Sequence, residues 1–289
     1  MTENNLPTSK KYAVNLVGGA EEIFDYVQGI RRQLHTWAEV GFDLPKTVAL
    51  VDKELTEMGI PHYPVGKSGI CAILGKGEKC VLLRADMDAL PMKETTGLPY
   101  ASEGEGTHSC GHDCHAAMLL GAAKLLKEHE TELKGTVKLL FQSGEEVFLG
   151  AKSAIEAGVL EHPKVDAAFA MHVFAMLPLG LVMTGKQPMA SVDGFRITLT
   201  GHGGHGSMPE TAIDPINAAV QVYLALQSLV AREIGGTEEA VLTVGQLTAG
   251  DAPNIIPQRA VLQGTLRTFD PKVRQRLRQR MEEISIAVA

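Results

Sequence analysis

The sequence predicts an α/β protein: a three-layer α/β/α domain over residues 1–185, followed by a ferredoxin-like α+β module over 186–289. Three observations predict it. In the first half, near-continuous apolar runs alternate with amphipathic helical stripes, the pattern of a sheet covered by helices on both faces. In the second half the strands change to strict apolar/polar alternation, which marks a sheet with one wet face. The order of that half is β-α-β-β-α, a split βαβ unit without its closing strand.

Each element has its own signature. "EEIFDYVQGIRRQLH" sets Ile23, Tyr26, Val27, Ile30 and Leu34 on one helical stripe, and "KTVALVDKELTEMG" repeats the spacing before a glycine stop. "GICAILG" and "KCVLLRADMD" read as strands, the second too continuously apolar to lie anywhere but inside a sheet. "DCHAAMLLGAAKLLKEH" is a helix whose small residues permit close packing, and "GTVKLLFQS" and "KVDAAFAMHV" are two further buried strands. The pattern turns over between Met183 and Ala190. "SVDGFRITLTG" then sets Phe195, Ile197 and Leu199 against Arg196, Thr198 and Thr200. A helix from Asp214 leads to strands "AVLTVGQL" and "AVLQGTLRTF", and a last helix carries Val273, Leu277, Met281, Ile284 and Val288 on one stripe. The chain stops inside that helix at Ala289 without a glycine cap, so a fragment cut within its second domain is expected.

Bulk properties narrow the classes. With 289 residues and 45% hydrophobic composition, the chain can fill two cores. Aromatics at 5% make those cores aliphatic. A formal net charge of -7 argues against a nucleic-acid or anionic-membrane surface. The one basic run, "KVRQRLRQR", reads as a solvated helix face. Four cysteines, no signal-like stretch in "MTENNLPTSKKYAV" and no membrane-length apolar run point to a reducing compartment, the cytoplasm.

Chemistry concentrates in "THSCGHDCHAAM", where His108, Cys110, His112, Asp113, Cys114 and His115 crowd together. Three strands end in metal-type groups as well: Asp86 and Asp88, Glu145 and Glu146, and His172. Ligands of open α/β sheets bind outside the carboxyl ends of strands, so these ends and the Cys-His loop converge on one rim. Each group alone has a bland reading: a turn-opening aspartate, a helix-starting glutamate pair, a rim histidine. Together they read as a metal site. Cys110-x-x-x-Cys114 is not a CxxC pair, and Cys71 and Cys80 lie in strands, so a zinc ribbon or thiol-redox site does not fit. Cys110 with His112 suits Zn²⁺ and, with carboxylates, Mn²⁺ or Co²⁺. Adjacent side chains at a strand end point apart, so one glutamate binds metal and the other takes a proton from an activated water. The implied class is metal-assisted amide hydrolysis.

The remaining donors of the loop divide by role. Asp113 and His115 support the ligands, Cys114 packs, and His108 stays unassigned. In "GHGGHGSMP", His202 and His205 stand among glycines, suited to hydrogen bonding a developing oxyanion; the loop has no Walker continuation for phosphate. Asn254 and Arg267 join them, Arg267 sharing a strand face with Gln263 and Thr265. Its guanidinium matches a carboxylate, and a surface salt bridge is the open alternative.

"RADMDALP", "HSCGHDCHAAMLLGAAKLL", "FQSGEEVFLGAKSAIEAGVLE", "GHGGHGSMPETAIDP" and "NIIPQRAVLQGTLRT" resemble the N-acyl-amino-acid amidohydrolase subfamily of metallopeptidase family twenty. Its members include hippurate hydrolases, N-acetyldiaminopimelate deacetylases and plant auxin-conjugate hydrolases. The resemblance runs from His35 to the last residue. It implies a metallopeptidase catalytic domain with an inserted lid and dimerisation domain, and two divalent ions: Mn²⁺ or Zn²⁺, with Co²⁺ or Ni²⁺ admissible. It implies ligands Cys110, His112, Glu146 and His172, a general base in Glu145, and Asp88 orienting the site. It gives His205 a catalytic role at the partner subunit's active site in a homodimer, and Asn254 and Arg267 the free carboxylate of a small N-acylated amino acid. A His-x-Asp of related peptidases stands here as Asp86-Met-Asp88, which sets Asp86 apart from Asp88.

The sequence departs from the family's pattern in places. "HxxPELGFEE" stands as "HTWAEVGFDL", "FQPAEE" as "FQSGEE", and Glu210 replaces the histidine of "SMPH". A C-terminal segment with one more metal-binding histidine is expected beyond the last residue, so the complete protein is expected to hydrolyse N-acyl amino acids and this chain to turn over little. The competing readings are an inactive metal-binding or dimerisation fragment and a dipeptidase or carboxypeptidase of the same family. A phosphate-binding enzyme stands third, without a motif.

Overall fold

Two apolar runs pair in parallel at the heart of the first half, and everything that positions the candidate site is built around them. The computed structural model describes residues 16–185 and 189–289. The chain divides into two units, one ending at Leu179 and the other beginning at Gly180. The N-terminal stretch read for a leader lies outside the described residues, and the expected boundary at 185/186 borders on others that do.

The first unit begins with α1 (Leu16–Glu22), α2 (Phe24–Trp37) and α3 (Pro45–Glu57), then β1 (His62–Val65), β2 (Gly69–Leu74) and β3 (Cys80–Asp86). It continues with α4 (His112–Glu128), β4 (Thr136–Gln142), α5 (Gly150–Glu156) and β5 (Ala167–Ala170). α3 starts on Pro45, whose missing N–H costs nothing in a first turn, and Gly59 follows its end at φ +64. The sheet order is β1-β2-β4-β3-β5, with β3 parallel to both β4 and β5 and the other pairs antiparallel. Alternation along β2 and β4 sends side chains to two faces. Ile70, Ala72, Leu74, Val137, Leu139 and Phe141 meet α2, α3 and α4, whereas Cys71 and Leu140 meet Ala154 of α5 and Val159. This is the expected three-layer order, with α5 and β1 unforeseen. Each fully buried Leu or Val contributes about 1.5–3 kcal/mol.

All seven residues of β4 are buried, including Lys138, whose Nζ donates to the carbonyls of Val159 (2.8 Å) and Glu161 (2.6 Å). A buried ammonium needs such partners. β5 corrects the sequence reading. Expected to be buried, it is exposed at all four positions. It is the last strand of the sheet, bonded only to β3 among the described residues, and an apolar run does not reveal whether neighbours cover it.

The second unit comprises β6 (Ser191–Thr200), β7 (Gly204–His205), α6 (Pro215–Glu233), β8 (Ala240–Ala249), β9 (Ile255–Ile256), β10 (Arg259–Thr268) and α7 (Pro271–Val288). Its main sheet is antiparallel in the order β6-β10-β8. α6 and α7 cover one face through Val222, Leu226, Leu229, Val273 and Leu277 against Leu199, Leu262 and Leu266. Both helices start on Asp-Pro: the Asp214 and Asp270 carboxylates accept from the N–H groups of Ile216 (2.8 Å) and Lys272 (2.6 Å). Phe195, Ile197 and Leu199 turn inward while Arg196, Thr198 and Thr200 stay exposed, as the alternation predicts. At the end of the α7 stripe Val288 is exposed instead of packed. Three arginines of the basic run of α7 are paired in place: Arg274 with Asp193, Arg276 with Glu238, and Arg280 with Glu233.

Candidate metal centre

The parallel register of β3 and β4 opposes Asp86 to Gln142, so the residues that succeed both strands emerge on one rim. From β3 comes Asp88, completely buried. Its Oδ1 and Oδ2 accept from the backbone N–H groups of Glu145 (2.9 Å) and Glu146 (3.0 Å), while its carbonyl accepts from His112 Nδ1 (2.8 Å). One residue thus orients three others. Asp86, 1% exposed, is spent differently: Oδ2 accepts from Arg84 (2.6 Å) and Oδ1 faces His115 Nδ1 (2.6 Å). Burial pulls its carboxyl up, but His115, Arg84 and His112 outweigh that and hold it at about 2.

α4 starts at His112 after Gly111, which sits at φ +87. A side chain at Gly111 would strain the backbone and run into Val173 Cγ2. Because His112 Nδ1–H is used on the Asp88 carbonyl, its Nε2 presents a lone pair. That atom lies 3.8 Å from Glu146 Oε1 and 3.9 Å from Glu145 Oε2. Cys110 Sγ lies 3.3 Å from His172 Nε2, and the other nitrogen of His172 donates to the Val173 carbonyl (2.6 Å). Donor atoms of Cys110, His112 and His172, and of His112, Glu145 and Glu146, lie within 4.8 Å of one another.

A metal fits this set. His112 Nε2 and Glu146 Oε1 are buried with no hydrogen-bond partner among the described residues, an arrangement that costs about 1–3 kcal/mol per atom unless a cation satisfies it. Cys110 agrees: burial, with Glu146, Glu145 and Asp86 around it, pushes its thiol up to about 12. Such a thiol ionises at neutral pH only when a cation arrives. Burial raises Glu145 above the usual carboxylate range, helped by Glu146 and Asp86 against His112. Soft sulfur, imidazole and carboxylate together suit Zn²⁺ or Mn²⁺.

Behind the donors stands a buried ionic chain that the motifs do not announce. Asp113 Oδ2 lies 2.7 Å from Arg31 Nε and 2.8 Å from His35 Nδ1; His35 Nε2 reaches Glu94 (3.2 Å). The hydrogen bond to Asp113 leads the raising of the His35 pKa. The available signal was Arg31 and His35, four apart beside Leu34 on the inward stripe of α2. His108 is buried beside His35, its two ring nitrogens unpartnered among the described residues, and burial lowers its pKa to about 4.

In the second unit, His205 lies on β7, paired with Ile255 of β9, and its Nδ1 contacts Ser207 Oγ (2.8 Å). The Asn254 carbonyl accepts from Gly206 N–H (2.8 Å), so the two candidate positions share one small ribbon. Arg267 lies apart on β10, exposed and without an ion pair among the described residues, on the face opposite Leu262 and Leu266.

Comparison with known proteins places the chain among peptidases and amide hydrolases. The chain is 45% identical over 267 residues to IAA-amino acid hydrolase ILR1-like 4 of Arabidopsis thaliana, covering 91% of this chain and 60% of that protein. It is 44% identical over 268 residues to an N-acetyl-L-cysteine deacetylase of Bacillus subtilis, covering 90% of this chain and 64% of that protein. The chain therefore spans less than two thirds of the length of either. A crystal structure of a Bacillus subtilis dinuclear metal-binding peptidase of the M20 family superposes with a TM-score of 0.75 at 35% identity, over 93% of this chain and 70% of that one. The sequence profile of peptidase family M20/M25/M40 matches residues 82–276, a span that takes in every candidate donor, and to that family this chain belongs.

Proposed function

We propose that this protein hydrolyses the amide bond of N-acyl amino acids at a centre of two divalent ions held by Cys110, His112, Glu146 and His172. The observation that carries this reading is the pair of bare buried acceptors, His112 Nε2 and Glu146 Oε1, beside a Glu145 whose backbone, not its carboxylate, is anchored to Asp88. Divalent ions supply polarisation of the scissile carbonyl and acidification of water. Glu145 takes the proton of the attacking water and passes it to the leaving amine. Asp88 holds the Glu145–Glu146 backbone and the His112 ring, so base and ligands keep one geometry. Relatives named for hydrolysing an amino-acid conjugate and for deacetylating an N-acetyl amino acid support the substrate class.

Residues 1–185 are assigned the catalytic role and 186–289 that of a lid and dimerisation domain. There His205 donates to the developing oxyanion, and Asn254 and Arg267 hold the substrate carboxylate. Mn²⁺ or Zn²⁺ is the proposed ion, a homodimer the assembly and the cytoplasm the location. Among the described residues no helix is long and apolar enough to cross a membrane. The test is hydrolysis of N-acetyl and N-benzoyl amino acids by the whole protein with Mn²⁺, Zn²⁺ or Co²⁺. Glu145→Gln is expected to lower the rate about 10²–10⁴-fold with metal content unchanged. Wild-type rates from that variant would remove Glu145 as the base.

A further inference from the structure

His172 follows an exposed edge strand, yet it must meet donors that are buried and rigid. β5 pairs with β3 only as far as Ala170, opposite Arg84, and Met171, His172, Val173 and Phe174 are all exposed. We propose that His115 is a positioning residue that holds His172 in the donor set, with Asp86 selecting the ring tautomer that makes this work. The proposal rests on the metal-centre reading above and names a residue that acts through a ligand.

The hydrogens decide the tautomer. The backbone N–H of Val173 donates to His115 Nε2 at 2.9 Å, so that nitrogen must carry the lone pair. The ring proton then sits on Nδ1 and donates to Asp86 Oδ1 at 2.6 Å. A carboxylate only accepts, which excludes the other tautomer, where two N–H groups would face each other at Val173. Asp86 is itself fixed by Arg84 Nη1 at 2.6 Å, and Arg84 Nε donates to Gln142 Oε1 at 3.0 Å. A hydrogen-bonded chain thus runs from the end of β4 through β3 and the first turn of α4 to the backbone beside His172. The rings of His115 and His172 meet edge to face, 4.7 Å apart. Val173 also packs over Gly111, the residue between Cys110 and His112, so the same segment registers His172 against both of those donors.

Asp86, His112 and His115 also lie close enough to hold an ion themselves. Their hydrogen bonds argue against it. The single lone pair of neutral His115 is taken by Val173, and both oxygens of Asp86 are engaged. Only His112 Nε2 is bare. Partners that fix the tautomer and orientation of a ligand govern metal affinity without touching the metal.

Co²⁺ titration of the full chain, followed by its thiolate and d–d absorption, tests the proposal. His115→Phe keeps a ring of similar size and removes both hydrogen bonds. It is expected to weaken Co²⁺ binding about 10–100-fold while the Cys110 thiolate band persists. His172→Ala should weaken binding at least as much, and adding His115→Phe to it should cost no more than about twofold further, since nothing is left to position. Losses that multiply, or Co²⁺ binding by His115→Phe equal to wild type, overturn the proposal. A metal-free readout separates it from the function: Val173 amide exchange should quicken in His115→Phe while far-UV circular dichroism reports an unchanged fold. Unchanged exchange overturns the proposal even where Co²⁺ binds. A wild-type chain that binds no Co²⁺ sinks the metal centre, and the exchange experiment still decides whether His115 holds this segment.

Discussion

The two halves of the donor set are held with unequal rigidity. His112, with its orienting partner Asp88, is completely buried, and Glu145 and Glu146 are tied to Asp88 through their backbone N–H groups. Cys110 and His172 lie towards the surface, one on a loop and the other beyond an exposed edge strand. The buried half is therefore organised by hydrogen bonds that exist without a cation. The outer half depends on cation arrival and on contacts at the surface, chiefly the Val173 N–H on His115 and the Val173 side chain over Gly111. Burying one bare acceptor is costly; placing it on a rigid helix start makes that cost available for binding.

Removing one donor from each half puts this inequality to the hardest test. His112→Ala should weaken Zn²⁺ or Co²⁺ binding more than about 100-fold, beyond the usual effect of losing an outer partner. His172→Ala should weaken it less, as calorimetric titration would show; the reverse order would mean that the outer half leads. Asp88→Ala attacks the organiser of the buried half. It orphans two backbone N–H groups and should lower unfolding free energy by about 2 kcal/mol in urea denaturation, with Asp88→Asn milder because its amide still accepts.

Cys110 distinguishes the halves through pH. Its thiol, pushed up to about 12, stays protonated at neutral pH in the absence of metal, so a bound ion must displace one proton. Affinity should then rise about tenfold per pH unit between about pH 6 and pH 8, and Cys110→Ser should flatten that slope. A flat wild-type profile would mean the thiol does not ligate. The smallest effect concerns the loop after Glu146. Phe148 holds φ +59 and is 68% exposed, a left-handed conformation that costs a bulky residue about 1–2 kcal/mol. Phe148→Asn, which tolerates it better, should raise stability by up to about 1 kcal/mol in thermal unfolding. No gain would show that the loop is not strained.

Much of the fold is legible in the sequence because it is local. Asp-Pro starts, the stripe of Ile30 and Leu34, and the alternation of Phe195, Ile197 and Leu199 follow from periods that any stretch of chain displays. The four candidate donors are readable because Cys and His crowded in one loop, and Glu and His just after strands, are chemically conspicuous. β5 is not, because burial belongs to neighbours, and its apolar run is the same whether covered or not. The ionic chain of Arg31, Asp113, His35 and Glu94 is equally hidden. Apart from Arg31 and His35, four positions apart on α2, its links join His35 to Asp113 across 78 positions and to Glu94 across 59, and partners so distant share no local spacing.

Which donors exist, and in what order strands and helices carry them, is written in the chain, since periodicity and side-chain chemistry are properties of the residues themselves. Which lone pairs remain bare is settled only by folding. His112 and His115 are the same residue type three positions apart, yet one keeps Nε2 free and the other gives it to Val173. Both rings give their Nδ1 proton away, to the Asp88 carbonyl and the Asp86 carboxylate, groups brought beside them by the register of β3 against β4 and the docking of α4. The difference is made by the Val173 N–H, which reaches His115 and not His112.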